Sequence, residues 1–214
     1  MLYFVGVGPG DPELLTLKAI HAIERSDVIA LPDGGVAARV AQAHLEGKVL
    51  VPLRLPMTED PSVLSAARAE AARTVEAHLA RGATMAFLVL GDPSLYASCA
   101  YFMDAFSGRH PFEVVPGVPA MCAAAAALGV PLAAGREKLH ILPGYRAGDE
   151  LPDGNVVVMK AGKSLAALRD ACAGREAHVA QNLGMPDVFC APLAETDEAG
   201  YFTTVIVKRK RECP

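Results

Sequence analysis

The run from Thr84 to Leu90 is continuously apolar and stops abruptly at Gly91-Asp92-Pro93. A strand without polar alternation has both faces buried, so it needs a covering layer on each side, as in a mainly parallel sheet with crossover helices. The rest of the chain keeps the same rhythm. Leu2 to Val7, Val28 to Leu31 and Phe112 to Val115 read as strands. Between and after them, Glu13 to Arg25, Val36 to Leu45, Pro61 to Arg81, Leu95 to Phe106 and Pro119 to Leu128 read as helices. In the longest of these, Leu64, Ala67, Ala71, Val75 and Leu79 line one face. The class is α/β.

From about residue 130 the texture changes. Leu139 to Leu142, Val156 to Met159, Ala177 to Leu183 and Phe202 to Val207 all read as strands, and only Ser164 to Cys172 makes a convincing helix. A chain of 214 residues holds one large domain or two small ones. The change predicts an N-terminal α/β lobe over 1–120 and a more β-rich α/β lobe over 121–214, with no Gly/Ser linker between them.

Hydrophobic residues make up 52% of the chain and charged residues 21%, which supplies a core and excludes a disordered polyelectrolyte. A formal net charge of -4 disfavours a broad electrostatic grip on nucleic acid or anionic lipid. The cysteines at 99, 122, 172, 190 and 213 form an odd set with no C-x-x-C, which argues against a disulfide framework or a thiolate zinc site and fits a reducing cytoplasm. The histidines are scattered without H-E-x-x-H, so no metal site is expected. Val114 to Gly135 carries no charge, but Pro116, Pro119 and Pro131 with Gly117 and Gly129 cut it into short pieces, and no membrane span is expected. The N-terminal apolar run has no positive flank and does not match a secretory signal. Lys208 to Arg211 reads as a solvated basic segment.

Two nucleotide-binding motifs fail on spacing. A G-x-G-x-x-G beginning at Gly6 would need glycine where Asp11 stands. Gly162-Lys163-Ser164 lacks the earlier glycine of a P-loop, because position 157 is Val157. No G-x-S-x-G nucleophile elbow occurs. What remains is three Gly/Pro-rich turns after strands, at 6–12, 91–96 and 116–120, on the side of the sheet where open α/β folds place their ligands. Asp92 is read either as a helix cap or as a ligand for the hydroxyls or amino group of a nucleoside.

The order V-G-V-G-P-G-D-P-E-L-L-T-L-K-A at 5–19, G-D-P-S-L-Y at 91–96 and V-P-G-V-P-A at 115–120 resembles the tetrapyrrole methylase family over essentially the whole chain. Leu142-Pro143, Val158-Met159-Lys160, Gly184-Met185-Pro186-Asp187 and Gly200-Tyr201-Phe202 resemble most the branch that methylates the C20 meso carbon of precorrin-2, or of cobalt-factor II in the anaerobic route. The chain departs from that branch at Ala97-Ser98-Cys99, where Ser-Thr-Phe is more usual, and at Pro119-Ala120-Met121, where Thr-Ser is common.

The resemblance implies a two-lobed tetrapyrrole methylase-like fold with a cofactor cleft between the lobes, a homodimer, and S-adenosyl-L-methionine as cofactor, released as S-adenosyl-L-homocysteine. By analogy the cofactor contacts are Pro9, Gly91, Asp92, Leu95, Tyr96, Ser98, Pro119 and Ala120 from the first lobe, with Met159, Asn182 and Leu183 from the second. A core methionine is the other reading of Met159. Asp11 and Tyr96 are the candidate catalytic residues. The alternatives are a helix cap near Pro12 for Asp11 and a half-buried structural role for Tyr96. A tetrapyrrole polycarboxylate also calls for local cations, with Lys18, Arg39, Arg54, Arg136 and Lys160 as candidates. Two other functions remain open at this point. One is methylation at another corrin position; the other is a non-catalytic ligand-binding member of the fold, suggested by the two altered loops.

Overall fold

The computed structural model describes residues 1–32, 35–58 and 60–209. Cys213, Lys210 and Arg211 lie outside the described residues. Five parallel strands make the first sheet: β1 (Leu2–Gly6), β2 (Val28–Pro32), β3 (Val49–Leu53), β4 (Met85–Val89) and β5 (Phe112–Val115), in the order β3-β2-β4-β1-β5. Their parallel pairing places all five carboxyl ends along one edge.

Period-2 alternation divides the side chains of this sheet between two cores. Leu2, Phe4, Val28, Ala30, Met85 and Phe87 pack on one face with Ala71 and Val75 of α3 (Pro61–Ala80) and with Phe102 and Phe106 of α4 (Ala100–Phe106). On the other face, Val5, Ile29, Ala86 and Leu88 pack with Ala19 and Ile23 of α1 (Leu17–Glu24) and with Ala37 and Val40 of α2 (Val36–Val40). The apolar strand seen in the sequence is therefore central and buried on both sides. The Asp60 carboxylate caps α3 by accepting from the Ser62 amide at 2.8 Å, and Pro61 opens the first turn where its missing N–H is no loss.

The second unit begins at Ala120; the two compact units are Met1–Pro119 and Ala120–Pro214. Its sheet is mixed, with β6 (Leu139–Leu142), β7 (Asn155–Met159), β8 (Ala177–Gln181), β9 (Phe189–Pro192) and β10 (Thr203–Val207) in the order β6-β7-β10-β8-β9. Only β6 and β7 pair in parallel; β10 runs antiparallel to both β7 and β8. Val156, Val158, Val179, Val205 and Val207 face Leu165 and Leu168 of α6 (Leu165–Ala171). Val157, Ala180 and Ile206 face Ala124 of α5 (Ala120–Leu128) on the other side.

Several element boundaries differ from the sequence reading. The expected helix over Glu13 to Arg25 is a single 3₁₀ turn at Pro12–Leu14 followed by α1, because the Thr16 hydroxyl accepts from the Ala19 amide at 3.1 Å and starts a new helix. Val36 to Leu45 likewise splits into α2 and a 3₁₀ turn. The helix expected from Leu95 begins only at Ala100, since Tyr96 adopts φ +49, a left-handed conformation no α-helix accommodates. β3 and β9 carry no strand pattern in the sequence. Each is an edge strand containing a proline, with exposed apolar residues where a core pattern is expected. No helix among the described residues is long and apolar enough to cross a membrane.

Candidate functional site

The three turns predicted from the sequence follow β1, β4 and β5, which are adjacent in the sheet. They touch through main chain. Beyond the β1 and β4 ladder, Gly8 and Gly91 form an antiparallel bridge, with Gly91 N donating to Gly8 O at 2.7 Å and Gly8 N to Gly91 O at 3.3 Å. Gly8 and Gly91 reach this geometry at φ +76 and +79, which glycine adopts without strain. A Cβ on Gly6 would lie 2.6 Å from Gly117 N, and one on Gly117 only 2.2 Å from Gly91 O. The backbones of all three turns are thus in van der Waals contact, and only glycine fits between them.

Asp92 binds the second and third turns together. Its Oδ1 accepts from the Ser94 amide at 2.8 Å and from the Ser94 hydroxyl, while its Oδ2 accepts from the Gly117 amide at 2.9 Å. It does not cap α4, which starts eight residues later. The first turn is joined to the third by Thr16, whose hydroxyl donates to Pro116 O at 3.4 Å. Sequence reasoning did not single out Thr16, Ser94 or Gly117 for these contacts, which span up to 100 residues. All three did lie within the matched motifs.

Pro9 is buried beneath this arrangement, Asp11, Asp92, Leu95, Pro119 and Ala120 are half-buried, and Tyr96 and Ser98 are exposed. Asp11 caps the Pro12–Leu14 turn by accepting from the Glu13 amide at 2.9 Å. Cys99 is buried and donates to Pro93 O at 3.4 Å; burial pushes its thiol pKa up to about 12, so it serves packing and not nucleophilic chemistry.

None of the three turns contains Lys or Arg. A phosphate-bearing ligand would call for cations. Here the polar groups are peptide groups, two carboxylates and the hydroxyls of Ser94 and Tyr96, which suit a neutral or cationic nucleoside such as a sulfonium. At Gly91 a Cβ would meet nothing within 4 Å, so the space beside its Cα is empty. The residues present fit S-adenosyl-L-methionine.

The second-unit candidates occupy one edge of their own sheet. Met159 ends β7 and pairs with Thr204; Asn182 follows β8 and donates its amide to Phe202 O at 3.0 Å. Leu183 is buried in the core beside α5. Lys160 and Asn182 hold φ +54 and +53, and Asp187 +61, all left-handed without glycine. Such positions persist only where surroundings over-determine them, and they concentrate at functional sites. No sequence signal pointed to these backbones. Among the described residues no three of His, Cys, Asp and Glu gather as a metal site.

The family profile for Tetrapyrrole (Corrin/Porphyrin) Methylases matches residues 1–197. The chain is 36% identical to the precorrin-2 C(20)-methyltransferase of a Sinorhizobium species, over 98% of this chain and 96% of that one. It is 28% identical to the cobalt-precorrin-2 C(20)-methyltransferase of Salmonella typhimurium, over 66% of this chain and 62% of that one. Its fold matches the uroporphyrin-III C-methyltransferase of Thermus thermophilus complexed with S-adenosyl homocysteine, with a TM-score of 0.68 at 23% identity, covering 96% of each chain. With the first motif closed into a glycine-lined turn and the profile running through the first sheet and four of the five strands of the second, this chain belongs to the tetrapyrrole methylases.

Proposed function

We propose that this enzyme transfers the methyl group of S-adenosyl-L-methionine to C20 of precorrin-2 or its cobalt-containing counterpart during cobalamin biosynthesis. The observation that carries the reading is the 36% identity to a precorrin-2 C(20)-methyltransferase over nearly the full length of both chains. The glycine-lined turns support the cofactor, as does the S-adenosyl homocysteine complex of the Thermus relative.

When bound, S-adenosyl-L-methionine supplies a methyl already activated by its sulfonium. Held by these residues, it would supply that methyl to the electron-rich macrocycle carbon, leaving S-adenosyl-L-homocysteine and a proton as the other products. The protein's contribution is positioning, worth on the order of 7–11 kcal/mol when the reacting atoms are held in line. In this reading Pro9, Gly91, Leu95, Tyr96, Ser98, Pro119 and Ala120 hold the donor, and Met159, Asn182 and Leu183 are further contacts. Asp92 keeps the loops in place, and with both oxygens engaged it contributes to donor binding through the Gly117 loop. Asp11, already engaged by the Glu13 amide, retains a second carboxylate oxygen for a polar contact near the acceptor.

Anaerobic incubation with methyl-labelled S-adenosyl-L-methionine and either precorrin-2 or cobalt-factor II tests the assignment. A singly methylated product labelled at C20 is expected, and the better acceptor identifies the metal state. Label at another ring position, or no transfer to either macrocycle, overturns it. The same reading carries a homodimer and a cytoplasmic location; a monomer in sedimentation or a membrane-bound fraction on lysis counts against each.

A further inference from the structure

Directly before β10, Tyr201 and Phe202 stand 47% and 38% exposed, their rings edge to face at 5.3 Å between centroids and 79° between planes. Two adjacent aromatics in water forgo burial that a core position would give them. Yet the backbone carrying them is tightly built. The Gly200 amide donates to Gln181 Oε1 at 2.7 Å, Thr203 Oγ1 to Gly200 O at 2.6 Å, and the Asn182 amide to Phe202 O at 3.0 Å. On the other side a Cβ on Gly162 would lie 2.0 Å from Gly200 O, so the Lys160-to-Ser164 turn is pressed against the same segment. The pair is rigidly presented, not a frayed loop.

Cations border it. Continuing the antiparallel register of Thr204 with Met159 sets Lys160 opposite Thr203, one residue from Phe202, and Lys163 lies in the turn packed on Gly200. Both lysines are exposed, and among the described residues neither is in an ion pair. Lys160 is held at φ +54, which fixes where its side chain leaves the backbone.

We infer that Tyr201 and Phe202 form a platform for a flat conjugated or partly conjugated macrocycle, with Lys160 and Lys163 receiving carboxylates on its rim. An apolar ring face bordered by carboxylates matches an aromatic pair bordered by ammonium groups in both shape and charge. The macrocycle class rests on the function proposed above; the platform itself rests on the exposed pair, its rigid backbone and the adjacent lysines.

The probe is uroporphyrin III, a stable octacarboxylate macrocycle, titrated into the full-length protein and followed by its Soret absorbance. Saturable binding is expected. Tyr201→Ala with Phe202→Ala weakens it by about tenfold to hundredfold, while the pair changed to Leu keeps bulk and fold and loses less. Lys160→Gln with Lys163→Gln lowers affinity and flattens its dependence on salt. Binding of S-adenosyl-L-homocysteine by calorimetry and the circular dichroism spectrum verify that each variant is folded.

Absence of uroporphyrin III binding in the unaltered protein overturns the platform. So does unchanged affinity in the folded alanine variant. A dimer that dissociates in that variant with macrocycle affinity intact assigns the pair to a second copy of the chain and also overturns it. Platform binding together with failure of methyl transfer to precorrin-2 leaves the platform standing and removes the C20 assignment instead.

Discussion

The two units solve the end of a strand differently. After β1 and β4 the chain turns on Gly8 and Gly91, and its backbone is left bare enough for three turns to pack peptide against peptide. After β7 and β8 the equivalent left-handed positions are Lys160 and Asn182, which keep their side chains despite the conformational penalty. The first unit gathers bare main chain at its strand ends, whereas the second projects side chains from a fixed backbone. On the two proposals above, the main-chain contacts of a small nucleoside belong with the former, and a large polycarboxylate held by rings and ammonium groups with the latter.

The most severe way to break this division is to fill the glycine contacts. Gly117→Ala forces a methyl group into Gly91 O and is expected to destabilise the first unit by about 3 kcal/mol or more and to lower S-adenosyl-L-homocysteine affinity at least about hundredfold. Gly162→Ala makes the matching intrusion on Gly200 O in the second unit, and its larger effect is expected on uroporphyrin III. Calorimetry of both variants with both ligands gives the ranking, and an inverted order rejects the division of labour.

A step smaller is Asp92→Asn. The amide has one oxygen, so it can accept from Gly117 N or from Ser94 N but not from both, and one of these donors is left facing an NH₂ group. A loss of about 1–3 kcal/mol is expected. It should appear as a lower melting temperature together with weaker donor binding. A variant that keeps stability but loses affinity would instead mean that the carboxylate contacts the donor itself.

Exchanging the two conformational devices sharpens the contrast further. Gly91→Ala pays for a left-handed alanine with no steric clash, and about 1–2 kcal/mol of stability should go. Lys160→Gly relieves the same strain and should raise the melting temperature while weakening macrocycle binding. Stability and binding moving in the same direction at Lys160 would show that its conformation is incidental.

The smallest effect expected is the pH response of the second unit. Glu137 accepts from the Asn155 side chain and the Ala134 amide, both at 3.0 Å, and pairs with Arg209 at 3.2 Å. The Asn155 hydrogen bond, then that amide, and the positive charges of Arg209 and Lys208 hold its carboxyl below the usual range. A lowered folded-state pKa gives stability that is present above about pH 4, where an unfolded Glu is ionised, and is lost as pH falls through the folded value. Thermal unfolding from pH 6 down to pH 3 should therefore show a decline that Glu137→Gln flattens; parallel curves for the two proteins would remove Glu137 from the acid response.

The same contrast explains what could be read from the sequence. Turns built on glycine and proline leave letters in the chain, so the ends of β1, β4 and β5 and their convergence were visible. A left-handed lysine or asparagine leaves none, because its backbone is imposed by contacts such as Asn182 N to Phe202 O. The Asp92 bridge escaped for a related reason: an aspartate before a proline suggests a cap, and only the approach of Gly117 from 25 residues away makes it a tie. Edge strands escaped because their pattern serves one buried face or none. In β3, Val49 and Leu50 are exposed and Pro52 interrupts the run, so neither alternation nor continuous apolarity marks a strand.

The place of β10 in its sheet has a bearing on biogenesis. β1, the strand between β4 and β5, is made first, and the first sheet has all its members once residue 115 has left the ribosome. β10 sits between β7 and β8 but follows every other strand, so during synthesis β7 and β8 wait without the neighbour that joins them. The nascent second unit thus exposes two unpaired edges until Thr203–Val207 emerges, and unpaired edges of this kind are where partly made chains associate wrongly.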